Sequence, residues 1–142
     1  MIFNPKSFGA KADGSHDDTN AIQQAIDKAF FSGGGRIVLK NGVFLSGTIY
    51  LKSNISLEID ASACLLASPD INSYGSDTHH NRYRNEPELD RCFIFAENAD
   101  NIELCGNGII NGNAEFFPNS NNIYRPMMIR FLNCRNIRLH DL

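Results

Sequence analysis

Between residues 36 and 67 the chain passes through short apolar bursts, at 36–39, 43–45, 47–51, 55–59 and 64–66. Turn formers such as Asn41-Gly42, Ser46-Gly47 and Ser53-Asn54 fall between several of them. No burst is long enough for a helix or a membrane span, and each has the length and β-branched content of a strand. The turns recur too often for long antiparallel strands. The pattern therefore predicts short strands that bend and continue, as in a parallel β-helix.

The same grammar returns later. Asn54-Ile55-Ser56-Leu57, Asn101-Ile102-Glu103-Leu104 and Asn136-Ile137-Arg138-Leu139 share the pattern Asn-Ile-x-Leu. A turn asparagine leading each strand is expected if every coil makes the same bend and points the same two side chains inward. The unequal separations imply insertions. The longest covers about residues 70–91, which have no period of two or 3.6 and read as a long loop. Its Tyr74, His79, His80, Arg82, Tyr83, Arg84 and Arg91 would suit an anionic, ring-shaped ligand, or simply a solvated surface. His79 and His80 are adjacent and not spaced i,i+4, so they give no metal signature.

Before the strands, Ala21, Ile22, Ala25, Ile26, Ala29 and Phe30 recur at helical spacing, which predicts one amphipathic helix over about 17–32. Asp18 is the expected N-cap. The run Gly33-Gly34-Gly35 follows a helix and precedes a strand, the reverse of a phosphate loop, and reads as a C-cap and reversal. A stacked-coil fold exposes the unpaired end of its first coil, and this helix is placed to cap it. Residues 6–10 read as extended, and Asp13-Gly14 as a turn.

The 142 residues fit one domain, with coils from about 36 to 142. A net charge of −3 argues against a general nucleic-acid binder. Arg125, Arg130, Arg135 and Arg138 gather near the end of the chain, either as an anion-facing surface or as alternating exposed strand residues. Cys64, Cys92, Cys105 and Cys134 form no CxxC pair, and three of them lie beside apolar residues. Buried free thiols are expected, with a disulfide or metal role as the alternative. No apolar run spans a bilayer, and residues 1–5 lack the basic and apolar regions of a signal peptide. The chain ends in mid-grammar at Asp141-Leu142, as a truncated solenoid would, and association through the coil around 125–142 is expected.

Four segments in order, at 8–26, 33–66, 108–112 and 125–137, resemble the N-terminal third of glycoside hydrolase family 28, the polygalacturonase family. The resemblance implies an all-β solenoid, a right-handed parallel β-helix with an N-terminal capping α-helix. It also implies inverting hydrolysis of galacturonan or rhamnogalacturonan in pectin, and a secreted or periplasmic location. A cytoplasmic chain, or one beginning at the mature domain, stays open. Inversion uses one carboxylic acid and an opposed carboxylate base. The family's Asn-Thr-Asp, Gly-His-Gly and Arg-Ile-Lys motifs do not occur here, and the only Asp-Asp is Asp17-Asp18 before the helix. No catalytic residue, metal or cofactor is therefore assigned. The partner implied is an acidic, pectin-type polysaccharide, with Arg82, Arg84 and Arg125 as candidate contacts, because arginine pairs carboxylates bidentately. The alternative is a non-catalytic, tailspike-like binding or adhesion module.

Overall fold

The computed structural model describes residues 1–78, 90–117 and 126–142. The chain opens with β1 (Ile2–Phe3), a 3-10 turn (Pro5–Phe8), β2 (Asp13–Asp17) and α1 (Thr19–Phe31). A first full coil follows, with β3 (Gly35–Leu39), β4 (Gly42–Ser46) and β5 (Ile49–Tyr50). The second has β6 (Ile55–Ile59), β7 (Ala63–Ala67) and β8 (Cys92–Glu97). The third has β9 (Asp100–Cys105), β10 (Ile109–Asn111) and β11 (Met127–Leu132), and β12 (Arg135–Leu139) starts another.

Each coil visits three sheets in the same order. These are a five-stranded sheet ordered β1-β3-β6-β9-β12, a four-stranded sheet β10-β7-β4-β2 and a three-stranded sheet β11-β8-β5. Every pairing among the described residues is parallel. The architecture is the parallel β-helix that the apolar bursts predict.

The register explains the repeated motif. Ile37 pairs with Leu57, Leu57 with Leu104 and Leu104 with Leu139, so these side chains stack along the interior. Asn54, Asn101 and Asn136 hold left-handed φ values of 65°, 62° and 58°. Asparagine tolerates that region better than most residues. Their amides also stack: Asn101 Nδ2 donates to Asn54 Oδ1 and Asn136 Nδ2 to Asn101 Oδ1, both at 3.0 Å. Each coil's bend is thus tied to its neighbour's.

Helix α1 buries Ala21, Ile22, Ala25, Ile26 and Ala29 against the first coil. Its N-terminus differs from expectation. Asp18 is the cap residue by position, but its carboxylate makes no bond to the helix. It instead accepts from Lys11 N and Ala12 N, both at 2.9 Å, and is 1% exposed. The bond to the helix comes from Asp17, whose Oδ1 accepts from Thr19 N at 2.9 Å. Asp18 is thus a pin between the incoming segment and the cap, a tertiary contact with no local sequence signal. Gly33 and Gly34, at φ 96° and 122°, turn the chain as expected, and Gly34 N reaches Ala29 O at 2.8 Å. Two smaller expectations are corrected. Residues 6–8 lie in the 3-10 turn, where Asn4 Oδ1 accepts from Lys6 N. Asp13-Gly14 begins β2, whose ladder to β4 is shifted by an irregularity.

Candidate functional site

Two polar surfaces lie on the outside of the solenoid, on different sheets. The first is the outer face of the three-stranded sheet. Ile49, Ile94 and Ile129 are in register, and so are Tyr50, Phe95 and Arg130. Alternation points the first row inward and the second outward. Tyr50 and Phe95 meet edge to face at 6.0 Å between centroids. Phe95 is nonetheless buried, because the segment after β7 folds over this face. That segment is tightly held: Thr48 N donates to Ser73 O, Gly75 N donates to Thr48 Oγ1 at 3.0 Å, and Tyr50 Oη donates to Asp77 Oδ1 at 2.7 Å. A β-carbon on Gly47 would lie 1.7 Å from Ser73 O, so the crossing requires glycine there. Burial first, then the Asp77 carboxylate, push the Tyr50 phenol pKa up, so it stays protonated and donating. Further along, Thr78 Oγ1 donates to Asp90 O at 2.8 Å, and Arg130 Nη1 donates to Thr78 O at 3.0 Å. A cavity of about 240 Å³ opens beside Tyr50, Lys52, Asp77 and Glu97.

The expected ligand contacts fare unevenly. Arg82, Arg84 and Arg125 lie outside the described residues, as do His79, His80 and Tyr83. Tyr74 is described, and it is a packing residue rather than a ligand contact. It is 5% exposed, its ring lies 6.3 Å from Phe93 and 6.4 Å from Phe117, and its hydroxyl donates to Ser68 O at 2.7 Å. Of the later arginines, Arg135 and Arg138 are exposed strand residues and Arg130 is half-buried. All four cysteines are free. Cys92 and Cys105 are buried as expected, whereas Cys64 and Cys134 are half-buried.

The second surface is on the five-stranded sheet, and sequence reading missed it. Arg36 Nη1 donates to Glu58 Oε1 at 2.8 Å and Nη2 to Glu103 Oε1 at 3.0 Å, and Nη1 also lies 3.4 Å from Cys105 Sγ. His140 Nε2 is 2.7 Å from Glu103 Oε2, and its Nδ1 is 2.9 Å from Asp141 Oδ2. The His140 imidazole, and next the Ser56 hydroxyl, hold the Glu103 pKa down to about 2. Asp141 and then Glu103 raise that of His140. A signal for this cluster exists. Extending the repeated motif by one residue gives Glu58, Cys105 and His140 at the same position of successive copies, so they stack outward.

These coils have the shape of known β-helices. A solved structure of a protein assigned as a glycosyl hydrolase from Parabacteroides merdae superposes with a TM-score of 0.83 at 26% identity, over 99% of this chain and 63% of that one. A family 28 exopolygalacturonase from Yersinia enterocolitica matches with a TM-score of 0.68 at 31% identity, over 80% of this chain and 21% of that one. The fold is a right-handed parallel β-helix. The chain belongs to the rhamnogalacturonase A/epimerase, pectate lyase-like family, whose model matches residues 2–130. Among curated relatives, an exo-poly-α-D-galacturonosidase from Dickeya chrysanthemi is 36% identical over 121 residues, which is 79% of this chain and 19% of that protein. The polygalacturonase-like resemblance read from the sequence is thereby borne out.

Proposed function

We propose that this chain forms the first coils of a glycoside hydrolase that cleaves galacturonan or rhamnogalacturonan in pectin with inversion. Its own part is scaffold and substrate contact. The observation that supports this is topological. Residues 79–89, which hold Arg82 and Arg84, lead toward β8, and residues 118–125, which include Arg125, lead toward β11. Strands β8 and β11 are adjacent and parallel, so both segments feed the same end of the three-stranded sheet. These segments carry Arg82, Arg84 and Arg125 in the sequence, and guanidinium groups suit the carboxylates of a polygalacturonate chain, which arginine can bind in bidentate fashion.

Inverting hydrolysis needs two carboxyl groups about 6.5–9.5 Å apart with room for a water between them. The one Asp-Asp pair here is committed to structure, with Asp18 buried on two backbone N–H groups and Asp17 bonded to Thr19. On this reading the 142-residue chain binds substrate without turning it over, and the enzyme acts outside the cytoplasm, where pectin is found.

Calorimetric titration of the chain with oligogalacturonate tests this, beside a variant carrying Arg82→Ala, Arg84→Ala and Arg125→Ala. The expected result is binding weakened at least tenfold in the variant and no release of reducing sugar by either protein. Unchanged binding in the variant removes the arginines from the site. Equal binding of neutral and acidic glycans favours an adhesion module instead. The reading also has isolated chains associate through the coil of β11 and β12, where Met127, Met128 and Leu139 are exposed. Light scattering at rising concentration should show growth beyond the monomer mass, and Leu139→Lys should suppress it.

A further inference from the structure

The charged cluster on the five-stranded sheet has no part in the polysaccharide reading, which concerns another face of the solenoid. Its donor set is distinctive. Glu103, Cys105 and His140 offer one oxygen, one sulfur and one nitrogen, all within 4.8 Å of one another. We propose that these three side chains bind a single divalent ion of the zinc type, which clips the β12 strand to β9.

The donors are positioned by the sheet rather than by a loop. Glu103 and Cys105 are two apart on β9, so both point outward. The β12–β9 ladder sets Arg138 against Glu103 and Leu139 against Leu104, and His140 N continues it with a bond to Leu104 O at 3.1 Å. His140 therefore follows in register above Cys105. Zinc bonds of about 2.0–2.3 Å in a tetrahedron place ligand atoms roughly 3.3–3.8 Å apart. Glu103 Oε2 and His140 Nε2, now 2.7 Å apart, would open by roughly 0.6 Å to admit the ion, and the wider separations, up to 4.8 Å, would close by about 1 Å, adjustments that side-chain torsions can make.

The surroundings match what a ligating histidine and thiolate require. Asp141 Oδ2 lies 2.9 Å from His140 Nδ1. With an ion in place of the Nε2 proton, that carboxylate would hold Nδ1–H and leave the Nε2 lone pair for the metal, the usual partner arrangement of a metal-bound histidine. Arg36 holds Glu103 by Oε1, leaving Oε2 toward the cluster, and its Nη1 at 3.4 Å from Cys105 Sγ can go on donating to the thiolate. Beside the cluster is a cavity of about 280 Å³, also lined by Asp60 and Ala61, with space for a fourth, water ligand. The donor types decide the ion. A thiolate with an imidazole selects zinc-like metals over calcium or magnesium, which take oxygen ligands.

The exchange balances. Without the ion, the Cys105 thiol keeps its proton, and His140 can donate from both nitrogens to Asp141 and Glu103. With it, bonds form from the ion to Sγ, Nε2 and a Glu103 oxygen, three of its waters leave, and the Sγ and Nε2 protons pass to solvent. Two protons leave for one doubly charged ion, so the local charge is unchanged.

Titration of the reduced 142-residue chain with Co2+ is the test, because cobalt takes zinc sites and reports on them spectroscopically. The expected result is one ion per chain, with a thiolate-to-cobalt charge-transfer band in the near ultraviolet and the intense visible bands of four-coordination. Zn2+ should displace it. Cys105→Ser should abolish the charge-transfer band. His140→Gln, at a half-exposed position that leaves the fold intact, should raise the Kd at least tenfold. Asp141→Asn should raise it about 10-fold, as for other residues that orient a ligating histidine, and Cys134→Ser should leave it unchanged. Circular dichroism confirms that each variant is folded. No charge-transfer band in the parent chain, a band that survives Cys105→Ser, or equal affinity in His140→Gln would each overturn the proposal.

Discussion

Leu57 and Leu139 occupy the same place in the same Asn-Ile-x-Leu motif, and the ladder stacks both in one interior column. Leu57 is 0% exposed and Leu139 is 51% exposed. Ile55 and Ile102, at 0% and 1%, likewise differ from the half-buried Ile137. Local sequence and backbone are the same in each copy, so the difference comes from the neighbours. Leu57 has coils on both sides and α1 sealing the stack behind them, whereas β12 is the edge strand of its sheet. In a solenoid, burial belongs to the stack and not to the motif, as nearest-neighbour stability in repeat proteins requires.

The sharpest way to break that comparison is to truncate both leucines. Leu57→Ala leaves a cavity in a closed core and should cost about 2–5 kcal/mol. Leu139→Ala removes a side chain that is already half in water, and should cost less than about 1 kcal/mol. Urea unfolding of the two variants measures the gap. Equal losses would mean that the β12 coil is closed in solution, for instance by association, and dilution would then separate them.

The same contrast accounts for what could be read from the sequence. The solenoid was legible because the apolar bursts and the recurrent asparagines are local consequences of one bend repeated. The cap was legible from the spacing of Ile22, Ala25, Ile26 and Ala29. Asp18 was misread because its partners, Lys11 N and Ala12 N, reach it through a tertiary fold-back, while a capping aspartate is a local pattern. Tyr74 looked like a ligand contact because a polar loop gives no hint of the aromatic pair, Phe93 and Phe117, that it packs on. The cluster of Glu103, Cys105 and His140 is scattered along the chain and appears only once the motif copies are set in register. Metal spacing rules look along a chain, and here the spacing that matters runs across coils.

A second test uses the thiols. Cys92 lies in an inner coil and Cys134 in the turn between β11 and β12. Burial pushes the Cys92 pKa up to about 11 from an ordinary 9.0. Unfolding releases that thiol to ionise, so its contribution to stability is complete below pH 9 and is lost as pH rises toward 11. The slope is about 1.4 kcal/mol per pH unit across that window. Tyr50 and Tyr74, also raised chiefly by burial, steepen the decline above pH 10. Thermal unfolding between pH 8 and 11 should show a falling Tm, with a shallower fall in Cys92→Ala. Native alkylation at pH 8 should modify the half-buried Cys134 well before Cys92.

The asparagine ladder gives the smallest effect and the finest test, because both residues are exposed and left-handed and their own side-chain contacts differ by one hydrogen bond. Asn101 donates to Asn54 and accepts from Asn136, whereas Asn136 only donates within the described residues. Both hold left-handed backbone, at φ 62° and 58°, so alanine costs each about 1–2 kcal/mol of strain. The extra amide bond at Asn101 is exposed and adds about 0.5–1 kcal/mol. Asn101→Ala should therefore be the more destabilising by that amount, as measured from urea midpoints. Glycine separates the two causes, since it accepts the left-handed bend without strain. Asn101→Gly should recover most of the loss and keep only the hydrogen-bond part. If the two alanine variants lose equally, the asparagines serve the bend of each coil alone. A larger loss at Asn101 that persists in the glycine variant means that the amides also tie coil to coil. The ladder would then be a second bond between the closed core and the exposed β12 strand.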